Sequence, residues 1–537
     1  MSQFRRDARD TFLTVMSTHS ELETHIQCVP NVRMLPQTSK IGEACVDSHM
    51  PDTRCSTACY IDVNIPQDGA CVGEELDFDI VCEPPCLSGV VADPLLNASL
   101  RIPAGGRIFY VIARGLETFN VPLTYLGAGR YRGALVPRIP NQTLTVVAHQ
   151  RFHNYSYDQP CGSVVPIDGG RRWDPIRVGT LIDGPVELNI SVTAAPARDA
   201  PAAPTRACEP AELADGRWES CRAPSGAVVE CETGATHSTW RDSLSWVPRT
   251  CTYGHYVRAD ALATLQQAGV RNIVLAGDSQ TRTLFAALYD FLLRDPSRDK
   301  RHTSPDFTKK FHGAARACTE GADAIDLCIY FAFSGHSWNK ATLENGMNVT
   351  LEGSVVDLTR NELATSGRTI MAGADTALLV NTGQWLGAFA CSNQSAPVYA
   401  DAASWLARVR TERGVRAYFA TTHSTAKFLR HIFAWKDYRL TPSIADRLDR
   451  ETRSAMQSAK VPILDWRALT RARLDTVCDV GGHFACSADS HGLGGNTGKF
   501  FAGLEGVGAL KGPVVFTEAQ MLIHAITAPS FSIENTS

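Results

Sequence analysis

A serine becomes a nucleophile when a base takes its proton and fixed donors meet the charge that develops on the oxygen it attacks. Gly277-Asp278-Ser279 offers the setting for such a serine. The apolar run 273–276 ends abruptly at Gly277, and Leu284, Phe285, Leu288, Phe291 and Leu292 then recur at helical spacing. Strand, tight turn and helix place the Ser279 hydroxyl at the amino end of a helix, where backbone amides favour negative charge. The competing reading is that Asp278 and Ser279 merely cap the helix.

Three further clusters supply the other parts of such a site. Asn381-Thr-Gly-Gln-Trp385 follows the apolar run 376–380, so Asn381 is a candidate oxyanion donor; otherwise it is a turn residue with Trp385 packed beside it. The loop Cys478-Asp479-Val-Gly-Gly-His483-Phe-Ala-Cys486-Ser-Ala-Asp489-Ser-His491 holds two histidines and two aspartates. It can provide a base and the carboxylate that orients it, or bind a metal, or do neither. His423, in Thr421-Thr-His-Ser-Thr425, is an alternative base or a substrate contact, and Gly335, in Gly335-His-Ser337, is a candidate backbone donor.

These residues need a frame. Strand candidates at 273–276, 327–333, 376–380, 417–420 and 461–464 alternate with helical stretches such as 400–413 and 443–459. That alternation predicts an α/β fold with a parallel sheet flanked by helices, whose functional residues collect at the carboxyl ends of the strands. Residues 61–193 read differently. Short strands at 107–113, 121–136 (two, around a glycine turn), 144–148 and 186–192 are separated by Gly, Pro and Asn, which predicts an all-β sandwich as an accessory module. A Pro/Ala-rich stretch, 194–207, reads as a linker between them. Residues 1–60 form a cysteine-containing polar segment, and 208–530 the α/β domain.

The chain has 537 residues and a formal net charge of −4, so charge gives no reason to expect nucleic acid or an anionic membrane as partner. No apolar run is long enough for a transmembrane helix. Of the 17 cysteines, seven lie in the first 90 residues (Cys28, Cys45, Cys55, Cys59, Cys71, Cys82 and Cys86), a density that points to disulfides and an oxidising compartment. Asn-x-Ser/Thr occurs at Asn97, Asn141, Asn154, Asn189, Asn348, Asn393 and Asn535, against about two by chance from ordinary Ser and Thr usage. Both features predict a glycoprotein of the secretory pathway, Golgi lumen or extracellular, although the first residues, Met1-Ser-Gln-Phe-Arg-Arg, contain no signal peptide. No phosphate-cradling or dinucleotide loop is present, and neither cofactor nor metal is expected.

Taken in order, Cys208…Gly216-Arg-Trp218, Trp246-Val-Pro-Arg-Thr-Cys251, Gly277-Asp278-Ser279 and Asn381-Thr-Gly-Gln-Trp385 resemble the blocks of the trichome-birefringence-like polysaccharide O-acetyltransferases. They are similar to the PC-esterase branch of the SGNH superfamily, and a preceding β domain matches the NXPE-like arrangement within it. The resemblance covers about residues 208 to 525. It implies an SGNH-like sheet preceded by an immunoglobulin- or filamin-like sandwich, and an O-acetyltransferase or acetylesterase acting on a glycan or polysaccharide, with an acetyl donor of unspecified chemistry. By it Ser279 is the nucleophile, and the Ser279 amide and Asn381 are oxyanion donors. The family carries Asp-x-x-His near its carboxyl end. Here Asp489-Ser-His491 is one residue shorter and Asp479 to His483 one longer. Asp489 and His491 are the first choice for orienter and base, Asp479 and His483 the second. The departure leaves open an alternative, a non-catalytic extracellular glycan-binding or adhesion protein with a degenerate SGNH domain.

Overall fold

The computed structural model describes residues 38–40, 59–63, 70–82, 89–93, 98–102, 107–153, 185–193, 206–220, 244–293, 314–319, 326–333, 349–351, 354–357, 362–365, 368–371, 373–382, 386, 392–424, 442–473 and 513–528. They fall into two compact units.

The first unit takes the described residues up to Gly115 and from Asn120 to 193. Its regular elements are strands. One antiparallel sheet runs Thr38–Lys40, Cys59–Val63, Leu76–Cys82, Arg130–Leu135, Leu123–Gly127. Arg130–Leu135 alternates exposed and buried, turning Tyr131 and Leu135 inward. The turn before it needs left-handed backbone at Gly127, Ala128 and Gly129, with φ of 95°, 48° and 76°, which explains the glycines. A second set pairs Arg107–Arg114, Gln142–His153 and Pro185–Thr193 antiparallel, with Ala70–Cys71 added parallel. Phe109 of this set meets Tyr131 of the first sheet edge-on at 5.0 Å.

The second unit takes Leu116–Phe119 and the described residues from 206 on. Thr118 pairs with Trp218 of Gly216–Ser220, which also pairs with Leu244–Pro248. We label the five parallel strands of this unit β1 (Asn272–Gly277), β2 (Cys328–Phe333), β3 (Thr376–Val380), β4 (Arg416–Ala420) and β5 (Ile463–Leu464). Their order is β2-β1-β3-β4-β5, with Ala314–Cys318 antiparallel on the outer side of β2 and joined to it by the Cys318–Cys328 disulfide. The helices are α1 (Arg258–Gln267), α2 (Ser279–Leu288), α3 (Ser392–Arg413), α4 (Pro442–Ser458), α5 (Trp466–Arg471) and α6 (Pro513–Thr527).

Helices cover both sheet faces, which is why β1 and β3 are apolar without alternation. On one face Val274, Ala276, Leu378, Val380 and Phe419 pack against Tyr399, Ala402 and Leu406 of α3 and Leu448 and Met456 of α4. On the other, Phe331 meets Phe285 of α2 at 6.0 Å, and Tyr418 Oη donates to Ala525 O of α6 at 2.6 Å. The crossover from β2 to β3 carries an antiparallel meander, Val349–Leu351, Ser354–Asp357, Glu362–Thr365 and Arg368–Met371, which the apolar pattern did not predict.

Two tryptophans bind the start of this unit to its core. Trp218 and Trp246 are buried and stack edge-on at 5.6 Å. Their indole N–H groups donate to Leu469 O at 3.1 Å and Leu213 O at 2.7 Å. Cys208 and Cys251 form a disulfide beside them.

Candidate functional site

In β2-β1-β3-β4-β5 the chain leaves β1 toward one side and later returns to add strands on the other. The switch point lies between β1 and β3, and open α/β sheets bind ligands in the crevice outside the strand ends there. The residues at those two ends are Gly277-Asp278-Ser279 and Asn381.

The β1–α2 turn is tight because its neighbours leave no room. A Cβ on Gly277 would stand 2.2 Å from Thr281 Oγ1 and 2.7 Å from Asn381 O. Asp278 is fully buried and caps α2, its Oδ1 accepting from Gln280 N at 2.8 Å. Ser279 is the first residue of α2, so its backbone N–H has no partner within the helix. The capping bond is made by Asp278. α2 continues as a single π turn, Tyr289–Leu293; Leu284, Phe285, Leu288 and Leu292 are buried as their spacing requires.

Asn381 is fully buried at the end of β3. Its backbone N–H donates to Ala276 O at 2.9 Å, tying β3 to β1. Its Nδ2 donates to Ala420 O at 3.2 Å and Thr421 O at 3.1 Å, tying β3 to the end of β4. Both side-chain hydrogens are therefore engaged with carbonyls. Among the described residues no donor reaches its buried Oδ1. In this arrangement Asn381 braces three strand ends and presents an acceptor.

His423 follows β4. Its ring is 2% exposed, and its Nε2 lies 2.7 Å from Oε1 of Glu518, itself 1% exposed, on α6. The ring also packs on Trp466 of α5 at 5.4 Å. The rest of the Thr421–Ser424 cluster docks α5 by hydrogen bonds. Thr421 Oγ1 donates to Asp465 and accepts from Arg467 N, while Ser424 N donates to Thr470 Oγ1 and Ser424 Oγ to Arg467 O. With one nitrogen on Glu518 and almost no exposure, His423 serves here as a joint between β4, α5 and α6. Behind it Tyr399 Oη sits among the hydroxyls of Thr452, Thr382 and Thr422, and burial pushes the phenol's pKa up.

Glu518 was not among the sequence candidates. The available signal was one acid within the apolar helix 513–527, a residue that burial requires to be paired. The Ser279 side chain, Gly335, Asp479, His483, Asp489 and His491 lie outside the described residues. Among the described residues no group of three His, Cys, Asp or Glu side chains is arranged to hold a metal ion. No helix among them is long and apolar enough to cross a membrane. No family model, curated protein or solved structure matches the chain.

Proposed function

We propose that the second unit is a serine-dependent O-acyl transferase or esterase acting on glycan hydroxyls, in the manner of the SGNH families its four sequence blocks resemble. The observation that carries the reading is Ser279, first residue of α2, directly after the central strand at the switch point of the parallel sheet. The buried Oδ1 of Asn381 across that point, which no donor reaches among the described residues, adds to it, because such atoms in folded proteins call for a functional or ligand explanation.

In this reading Ser279 Oγ attacks an acetyl carbonyl while His491, oriented by Asp489, takes its proton. His483 with Asp479 is the second pair for that role. The carbonyl oxygen, now negative, is met by the Ser279 N–H and a backbone donor at Gly335, each donor being worth about 3 kcal/mol. Asn381 contributes Nδ2 only by releasing a carbonyl; otherwise its Oδ1 accepts from an incoming hydroxyl. The tetrahedral centre collapses, the leaving group takes the proton from His491, and the acetyl stays on Ser279. A sugar hydroxyl or water then removes it, and exclusion of water decides which. Two formed disulfides, Cys208–Cys251 and Cys318–Cys328, fit folding in an oxidising compartment, and we place the protein in the secretory pathway.

The engaged Nδ2 of Asn381 favours a second reading, an extracellular glycan-binding protein that keeps the cleft without the chemistry. A fluorophosphonate probe separates the two. Labelling that vanishes in Ser279→Ala, with acetyl transfer or release on a glycan panel read by mass spectrometry, supports the enzyme. Folded protein that never labels supports the binder.

A further inference from the structure

Asparagine is a poor strand former, since its amide competes for backbone partners and packs little surface. Asn189 nevertheless lies inside the nine-residue strand Pro185–Thr193. Its neighbours Ile190 and Val192 are buried, whereas Asn189 and Ser191 are exposed. Residues two apart on a strand share a face, so the amide and hydroxyl of Asn189-Ile190-Ser191 stand together toward solvent. The adjoining strand repeats the arrangement at its start: Asn141 and Thr143 are exposed and Gln142 between them is buried. Thr143 lies opposite Ser191, and Thr145 opposite Asn189. Four residues at ~3.4 Å each put the two asparagines about 14 Å apart on one face. Both tripeptides have the acceptor pattern for N-linked oligosaccharide. Thr145 Oγ1 donates to Asn189 Oδ1 at 2.8 Å. That bond holds the amide by its oxygen and leaves Nδ2, the atom that would carry the sugar, on the far side.

We propose that Asn189 and Asn141 carry N-linked oligosaccharides, which makes this face of the first unit a sugar-covered surface. The co-substrate is an oligosaccharide on a lipid pyrophosphate. The Asn Nδ2–C1 bond forms as the C1–O bond to the pyrophosphate breaks, and the amide gives up one proton. The proposal goes beyond the acyl-transfer reading and shares with it only the secretory compartment.

Asn141 and Asn189 each have a structural alternative, a left-handed turn with φ of 56° and the bond to Thr145 respectively. The test therefore has to separate the sequon from the side chain. The full chain, led by an added signal sequence into a eukaryotic secretory pathway, is recovered and its peptides mapped by mass spectrometry. Mapping is repeated after enzymatic release of N-glycans, which converts each occupied Asn to Asp. Conversion at Asn189 and Asn141 is expected. Asn189→Gln and Ser191→Ala should each remove the mass of one glycan, and Ser191→Thr should keep it. Unconverted Asn189 and Asn141 in chains whose other sequons are occupied overturn the proposal and leave the compartment reading intact. Chains with no N-glycan at all overturn the proposal as well.

Discussion

Acidification should loosen the second unit through His255, well before its carboxylates are protonated. His255 is largely buried beside Tyr253, ring to ring at 4.7 Å, and burial lowers its pKa to about 4. In the unfolded chain the same group titrates near ~6.5. Between those values the unfolded state binds more protons, so stability is whole above the unfolded pKa and falls as pH drops toward the folded one. Linkage makes the loss about 2 kcal/mol at pH 5, and about 3 kcal/mol once pH 4 is reached, a large share of the 5–15 kcal/mol typical of a domain. His524 adds to the loss in the same direction. Burial lowers its pKa too, and its two nitrogens are engaged as a neutral ring should be, Nε2 with Cys208 O at 2.9 Å and Nδ1 with Gly254 N at 3.4 Å. Urea unfolding followed by tryptophan fluorescence reads this unit, because Trp218, Trp246, Trp405 and Trp466 all belong to it. The expected result is a midpoint that falls steeply between pH 7 and 5, and a shallower fall in His255→Phe, which keeps the ring contact and removes the proton. Equal unfolding free energies at pH 7 and 5, or a His255→Phe slope as steep as the parent's, would refute the reasoning.

Gly277→Ala pushes a methyl against Thr281 Oγ1 and the Asn381 carbonyl; overpacking of this kind costs about 1–3 kcal/mol, so a lowered thermal midpoint is expected, and an unchanged one would contradict the close approach. Glu518→Ala leaves buried His423 Nε2 without its hydrogen-bond partner and should cost about 1–3 kcal/mol, whereas Glu518→Gln, which retains a hydrogen bond, should cost measurably less in the same urea titration. If the acyl-transfer reading holds, kcat/KM should rise through one ionisation near ~6.5 as the base loses its proton; a flat profile from pH 5 to 8 with chemistry rate-limiting would remove histidine from that role.

Local order was legible in the residues themselves. The run 376–380 stands as strand Thr376–Val380 because five apolar or β-favouring residues lie between Asp375 and Asn381. Glycine and aspartate before Ser279 announce a turn and a cap by their own backbone preferences, and Gly127-Ala-Gly129 announces a hairpin for the same reason. These are short-range effects, and the sequence contains all their terms. The partners of the buried polar groups were not legible, because each is set by chain segments far apart. His423 meets Glu518 across 95 residues. Arg217 bridges buried Glu219 and Glu117 at 2.5 and 2.7 Å, joining acids from opposite sides of the Pro/Ala-rich stretch. Asn381, a candidate for its amide hydrogens, has them bonded to the end of β4. Periodicity reports which face of an element is apolar, but not which strand lies beside which. That order, and with it the close approach of the Asn381 carbonyl to Gly277 at one switch point, follows only when burial of both sheet faces selects a single packing.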